Sequence, residues 1–94
     1  MNYSMTVLIG NSDNQLTQSQ WASFCYDVNT ALSEFKCHFH GSPPGDVTKQ
    51  NSAWLVIIPV ENVDPCRNEL RALAKKYNQE SIAIVLGNTE LLKP

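Results

Sequence analysis

Apolar and polar positions divide the chain into six periodic segments separated by turn-forming residues. The first, Ser4 to Ile9 (SMTVLI), is short, β-branched and apolar, and it stops at Gly10-Asn11-Ser12-Asp13-Asn14. Such a cluster of Gly, Asn, Ser and Asp is a loop signal, so the segment reads as a strand followed by a turn. Trp21, Phe24, Cys25, Val28, Ala31 and Leu32 then lay one apolar stripe on a helix. Thr17 and Gln20 form a T-x-x-Q capping box at its start, and the helix is expected to end near Ser33.

Phe35 to His40 alternates strictly. Phe35, Cys37 and Phe39 are expected on the core side of a half-buried strand, with Lys36, His38 and His40 on the other. Gly41-Ser42-Pro43-Pro44-Gly45-Asp46 breaks that strand, since paired prolines fit neither helix nor central strand. Ala53 to Ile58 (AWLVII) is apolar on both faces, as in a central strand covered on both sides or by a partner. Either Trp54, Val56 and Ile58 or Leu55 and Ile57 would then form the outward patch. Asp64-Pro65 predicts a second helix with Asp64 as its cap, carrying Cys66, Leu70, Leu73, Ala74 and Tyr77 on one stripe. Lys75 and Lys76 suit its negative end, and Asn78 suits a left-handed closing residue. Ser81 to Leu86 (SIAIVL) is the last strand.

The order β-α-β-β-α-β predicts an α+β fold, the ferredoxin-like two-layer sandwich: an antiparallel sheet with two helices on one face. Right-handed crossovers place the first and third strands side by side at the centre, where we expect this pair to run parallel. With no repeat and no linker, residues 1–94 read as a single domain.

Composition narrows the function. A net charge of -2 provides no global attraction to nucleic acid or to an anionic membrane surface. The longest apolar run, Trp54 to Val60, falls far below the ~20 residues that span a bilayer. The first residues carry no basic stretch or small-residue cleavage site of a signal peptide. Cys25, Cys37 and Cys66 include no CxxC pair and read as reduced thiols of a cytoplasmic protein.

Several residues could carry chemistry, and each has a plain structural alternative. His38 and His40 would project from one strand face and reach one ion, yet no third ligand lies near in sequence. The favoured reading is a polar, partner-facing strand rim, with no metal and no cofactor. Cys66 sits in the first turn of its helix, where the dipole favours a thiolate, although burial as a small hydrophobe is the default. Asn11, Ser12 and Asp13 could hold an anion on backbone N–H groups, without the spacing of a phosphate loop. Gln50, Asn51, Gln79 and Glu80 are polar connector residues able to hydrogen-bond a partner or ligand.

Three ferredoxin-like families are disfavoured by what is missing. The first loop has no acylphosphatase arginine and no MxCxxC of copper chaperones, and AWLVII lacks the aromatic and basic pattern of an RNA-recognition motif. The combination IGNSD (9–13), LTQ with Trp21, His40-Gly41, QNSAW (50–54) and KYNQESIA (76–83) resembles a set of short uncharacterised proteins of bacteriophages and bacteria. That resemblance implies a lineage and a setting, a host cytoplasm if phage-encoded, and carries no mechanism.

The expectation is therefore a non-enzymatic protein-interaction module. It would form a homodimer and cover a site on a host or bacterial protein, as an anti-defence or anti-CRISPR-like protein would. One alternative is a protein that binds or sequesters a small anionic ligand or nucleotide through Asn11, Ser12, Asp13, His38, His40, Gln50, Asn51, Gln79 and Glu80. Another is a thiol- or metal-dependent enzyme using Cys66 or the two histidines.

Overall fold

The computed structural model describes residues 1–11, 15–42 and 50–94; Ser12 and Asp13, two of the candidate site residues, lie outside the described residues. The elements are β1 (Asn2–Gly10), α1 (Gln18–Leu32), β2 (Lys36–Gly41), β3 (Asn51–Pro59), α2 (Val63–Lys76) and β4 (Ala83–Gly87). A 3-10 turn, Val60–Asn62, leads into α2. The strands form one sheet in the order β2-β3-β1-β4 with every neighbouring pair antiparallel, which is the ferredoxin-like arrangement. β1 and β3 are central neighbours as expected, but they run antiparallel and not parallel. The reason is topological: β3 returns from β2 and inserts between β1 and β2, the two strands of a split right-handed crossover.

One sheet face carries both helices. Met5, Val7 and Ile9 of β1 and Trp54, Val56 and Ile58 of β3 are buried against Phe24, Val28 and Leu32 of α1 and Val63, Cys66 and Leu70 of α2. Fully burying each such aliphatic or aromatic side chain contributes about 1.5–3 kcal/mol. Trp54 therefore belongs to the core, and its indole N–H donates to Asn29 Oδ1 on α1 at 3.1 Å. Leu55 and Ile57 are left on the outer face. Of the two placements the sequence allowed for β3, this is the one adopted.

The helix ends show which local signals carried over. Gln20 N–H donates to Thr17 Oγ1 at 3.1 Å and Thr17 N–H donates to Gln20 Oε1 at 2.8 Å, so the capping box forms and fixes the start of α1. Ser33 is its C-cap. Asp64 is not the cap of α2: Asn62 holds that position without a side-chain bond, because the 3-10 turn already leads the backbone in. Asp64 sits in the first turn and pairs with Arg67 at 2.9 Å. Asn78 adopts φ 53°, with Gln79 N–H donating to Ala74 O (2.8 Å) and Asn78 N–H to Lys75 O (3.2 Å). This pair of bonds is a Schellman closure. From there the chain turns toward β4.

Candidate functional site

β2 determines where the two histidines go. Lys36 pairs with Ile57 and Cys37 with Val56, but Phe39 pairs with Leu55 and His40 with Trp54. One extra residue, His38, is therefore inserted, and a one-residue bulge inverts the alternation beyond it. The expected faces are overturned for half of the strand. Cys37 and His40 share the helix side, whereas Lys36 and Phe39 share the outer side, and His38 is the unpaired residue of the bulge between them. Cys37 and Phe39, expected in the core, are both exposed, Phe39 at 56 %.

His40 is anchored rather than free. Its ring stacks on Trp54 with centroids 4.3 Å apart and planes 7° apart, and Nε2 lies 3.2 Å from Ser52 Oγ. Ser42 Oγ donates to Ser52 Oγ at 3.3 Å, and Ser52 Oγ to Gly41 O at 3.4 Å. Ser52 is buried, so this contact closes the tip of the β2–β3 pair and does not present a nucleophile. Among the described residues, no three His, Cys, Asp or Glu side chains are grouped so as to hold a metal ion.

Asn11 and Gln50, named from sequence as ligand contacts, meet each other. Asn11 is buried; its Nδ2 donates to Leu16 O (3.1 Å) and Gln50 Oε1 (3.0 Å), and its Oδ1 accepts from Leu16 N–H (2.9 Å). Gln50 also exchanges two side-chain bonds with Gln18, at 2.7 and 3.1 Å. These amides tie the end of β1, the start of α1 and the start of β3 together, and the bonds use most of their capacity. Asn51 and Gln79 line a hollow of about 300 Å³ beside Gly10. There a Cβ on Gly10 would stand 2.6 Å from Asn51 Oδ1, so any larger residue would have to displace the Asn51 side chain. Glu80 belongs elsewhere, to a groove beside α2. Thus Asn11, Gln50, Asn51 and His40 gather at one end of the sheet, while His38 and Glu80 do not join them.

The outer sheet face has a different character. Cross-strand partners project from the same face, so the pairings define rows across all four strands. One row is Phe39, Leu55, Thr6, Val85; a second is Gly41, Ala53, Leu8, Ala83. Phe39, Val85 (60 %) and Leu8 (40 %) are exposed large hydrophobics on it. The Phe39 ring lies over Gly41, where a Cβ would stand 2.8 Å from the ring. No helix covers this face among the described residues.

The cysteines divide by depth. Cys66 is buried, and burial, with Glu69 and Glu34 adding repulsion, pushes its thiol up to about 11, against the thiolate that a helix N-terminus alone would favour. Burial likewise raises Cys25. On the helix layer, Lys76 Nζ donates to Asp27 Oδ2 at 2.8 Å and Tyr77 OH donates to the same oxygen at 2.5 Å, joining α1 to the end of α2. Those two donors hold the Asp27 carboxyl below the ordinary carboxylate range.

Comparison with protein-family models and with curated proteins finds no match for the chain. Solved structures do resemble it. A dimeric ferredoxin-like protein of unknown function from Thermobifida fusca YX aligns over 94 % of this chain and 92 % of its own, with a TM-score of 0.54 and 15 % identity. Aspartate kinase of Clostridium acetobutylicum aligns over 92 % of this chain with the same score and identity. The chain spans only 18 % of that kinase. At such identity the likeness shows the fold and nothing of activity.

Two features were missed from sequence. One is the place of Phe39 beside Leu55 on the outer face, hidden because the bulge that turns it outward has no local signature. The other is a line of cations, Arg67, Arg71 and Lys75, whose four-residue spacing was legible but was not singled out.

Proposed function

We propose that the protein is a non-enzymatic interaction module that dimerises through the outer face of its sheet. The observation that carries this reading is the mainly apolar row Phe39, Leu55, Thr6, Val85, with Phe39 and Val85 exposed, on a face that no helix covers among the described residues. Four strands at about 4.8 Å spacing and central strands of nine residues give a face of roughly 19 by 30 Å. In projection that is at most about 570 Å², the size of a small interface rather than the ~800 Å² per partner of a standard one, and exposed apolar patches mark docking surfaces. The dimeric state named for the Thermobifida protein supports it, as does the raised Cys66 thiol, which disfavours thiol chemistry. The resemblance to short phage and bacterial proteins supports a bacterial or host protein as the further target, in an anti-defence setting in the cytoplasm.

Analytical ultracentrifugation tests the dimer. The wild type is expected to sediment as a dimer. Thr6→Glu, which puts a charge in the middle of the row without removing a core side chain, is expected to be a monomer with an unchanged circular dichroism spectrum. Val85→Lys should act likewise from the edge. A wild type that stays monomeric at millimolar concentration, or a folded Thr6→Glu that still dimerises, sinks the reading.

A further inference from the structure

The sheet has two edges, and they are not equivalent. β2, on one side, is bulged at His38 and carries Lys36, two features that discourage an incoming strand. β4, on the other, pairs with β1 in unbroken register and is Ala83-Ile84-Val85-Leu86-Gly87, with no charge, proline or bulge. Among the described residues no strand pairs with its outer side. Such an edge is a template for strand addition.

Beside that edge runs a groove of about 640 Å³ between α2 and β4. Its floor is apolar, from Leu70, Ala74, Ile82 and Ile84, and Arg67, Arg71 and Lys75 line it. Three of the seven Lys and Arg residues of a chain with net charge -2 therefore line one groove. Arg67 is held by exposed Asp64 and Arg71 by Asn68 Oδ1 at 3.0 Å. Exposed pairs of this kind contribute little, typically ~0–1 kcal/mol, and are readily exchanged. Glu80, on the same lining, marks one end of the groove as unfavourable for an anion.

The spacings match. Residues four apart on a helix rise about 6.0 Å, and alternate residues on a strand rise about 6.6 Å. We propose that β4 accepts an extended acidic segment of a partner protein as a fifth strand, whose alternate Asp or Glu side chains lie along Arg67, Arg71 and Lys75. Backbone pairing to β4 supplies affinity and the cation line fixes register and selects charge. The chain's own end, Asn88 to Pro94, is a poor occupant, since it has one acidic residue and one lysine. The two surfaces share β4, whose Ala83 and Val85 belong to the proposed dimer face while Ile84 faces the groove; Thr6→Glu perturbs only the first and Arg71→Glu only the second, so the two readings are tested separately.

The probe is a short synthetic peptide of alternating Glu and Val, followed by fluorescence anisotropy and by amide NMR shifts. Binding is expected to weaken with salt, to shift the amides of residues 83–87, and to persist in Thr6→Glu whatever its oligomeric state. Arg71→Glu should weaken it about tenfold or more, with Arg71→Lys in between. A peptide N-methylated at alternate amides keeps its charge but cannot pair, and it should lose binding to a similar extent. Absence of binding, equal binding of the N-methylated or of an alternating Lys-Val peptide, or shifts confined to another surface overturns the proposal.

Discussion

The His40 ring lies flat on the buried Trp54 indole, 4.3 Å between centroids, although His40 itself belongs to an exposed edge strand. The stack exists because the bulge takes up the extra residue His38 and so turns everything after it by one position. Aromatic pairs of this kind contribute ~0.5–1.5 kcal/mol beyond area burial. His40→Ala is accordingly expected to lower stability by about 1 kcal/mol in urea unfolding. Deleting His38 would remove the bulge and leave an unbroken ladder in which Cys37 still meets Val56, Phe39 meets Leu55 and His40 meets Trp54, so the His40–Trp54 stack and the exposure of Phe39 should survive the deletion. A deletion variant that loses the His40–Trp54 ring-current shifts in proton NMR would contradict this account of the strand.

Asn11 satisfies both backbone groups of Leu16 from a buried position. Asn11→Ala leaves that N–H and C=O unpaired, and is expected to destabilise by about 1–3 kcal/mol. Asn11→Asp keeps an acceptor for Leu16 N–H but loses both donated bonds and buries a charge, so it should be no milder. Chemical unfolding of the two variants checks the order.

Acid sensitivity should pass through Asp27. Its carboxyl is lowered first by the Lys76 ammonium and then by the Tyr77 hydroxyl. A lowered folded value means stability that is present above the unfolded carboxylate range, near 3.9, and is lost as pH falls through the folded value. Asp27→Asn should therefore flatten the acid limb of stability against pH while leaving the neutral plateau slightly reduced. Tyr77 is raised, by burial first and by Asp27 second. Its contribution is present below the unfolded tyrosine range, near 10, and fades as pH rises through the folded value. Melting curves across pH distinguish the two limbs.

Thiol accessibility provides a further check. Cys37 is exposed, Cys25 half-buried and Cys66 buried with its thiol raised to about 11. Iodoacetamide should label Cys37 first and Cys25 next, and Cys66 only at the rate of unfolding. Rapid native labelling of Cys66, read by peptide mass spectrometry, would reopen it as a reactive thiol.

Local signals in the sequence were dependable where a few neighbouring residues decide the outcome. The Thr17–Gln20 box, the Asn78 closure and the stripes of α1 and α2 each depend on contacts within one or two helical turns, and each formed. Asp64 failed as a cap because the preceding Val60–Asn62 turn, set by tertiary context, had already entered the helix two positions earlier. Of the candidate site residues, Asn11 and Gln50 were named as ligand or partner contacts, whereas the hydrogen bonds they make go to the fold's own backbone and amides.

The sequence by itself determined the element order, the helix stripes and a third strand apolar on both faces, because periodicity and capping are local physics. Only the tertiary structure decided the rest. Pairing across the β2–β3 hairpin placed the bulge at His38, sent Phe39 outward and His40 onto Trp54, and made β1 and β3 antiparallel. Sheet order then left β4 as the clean edge beside Arg67, Arg71 and Lys75. Register and edge identity are properties of which strands meet, and a one-residue shift in that meeting exchanges the two faces.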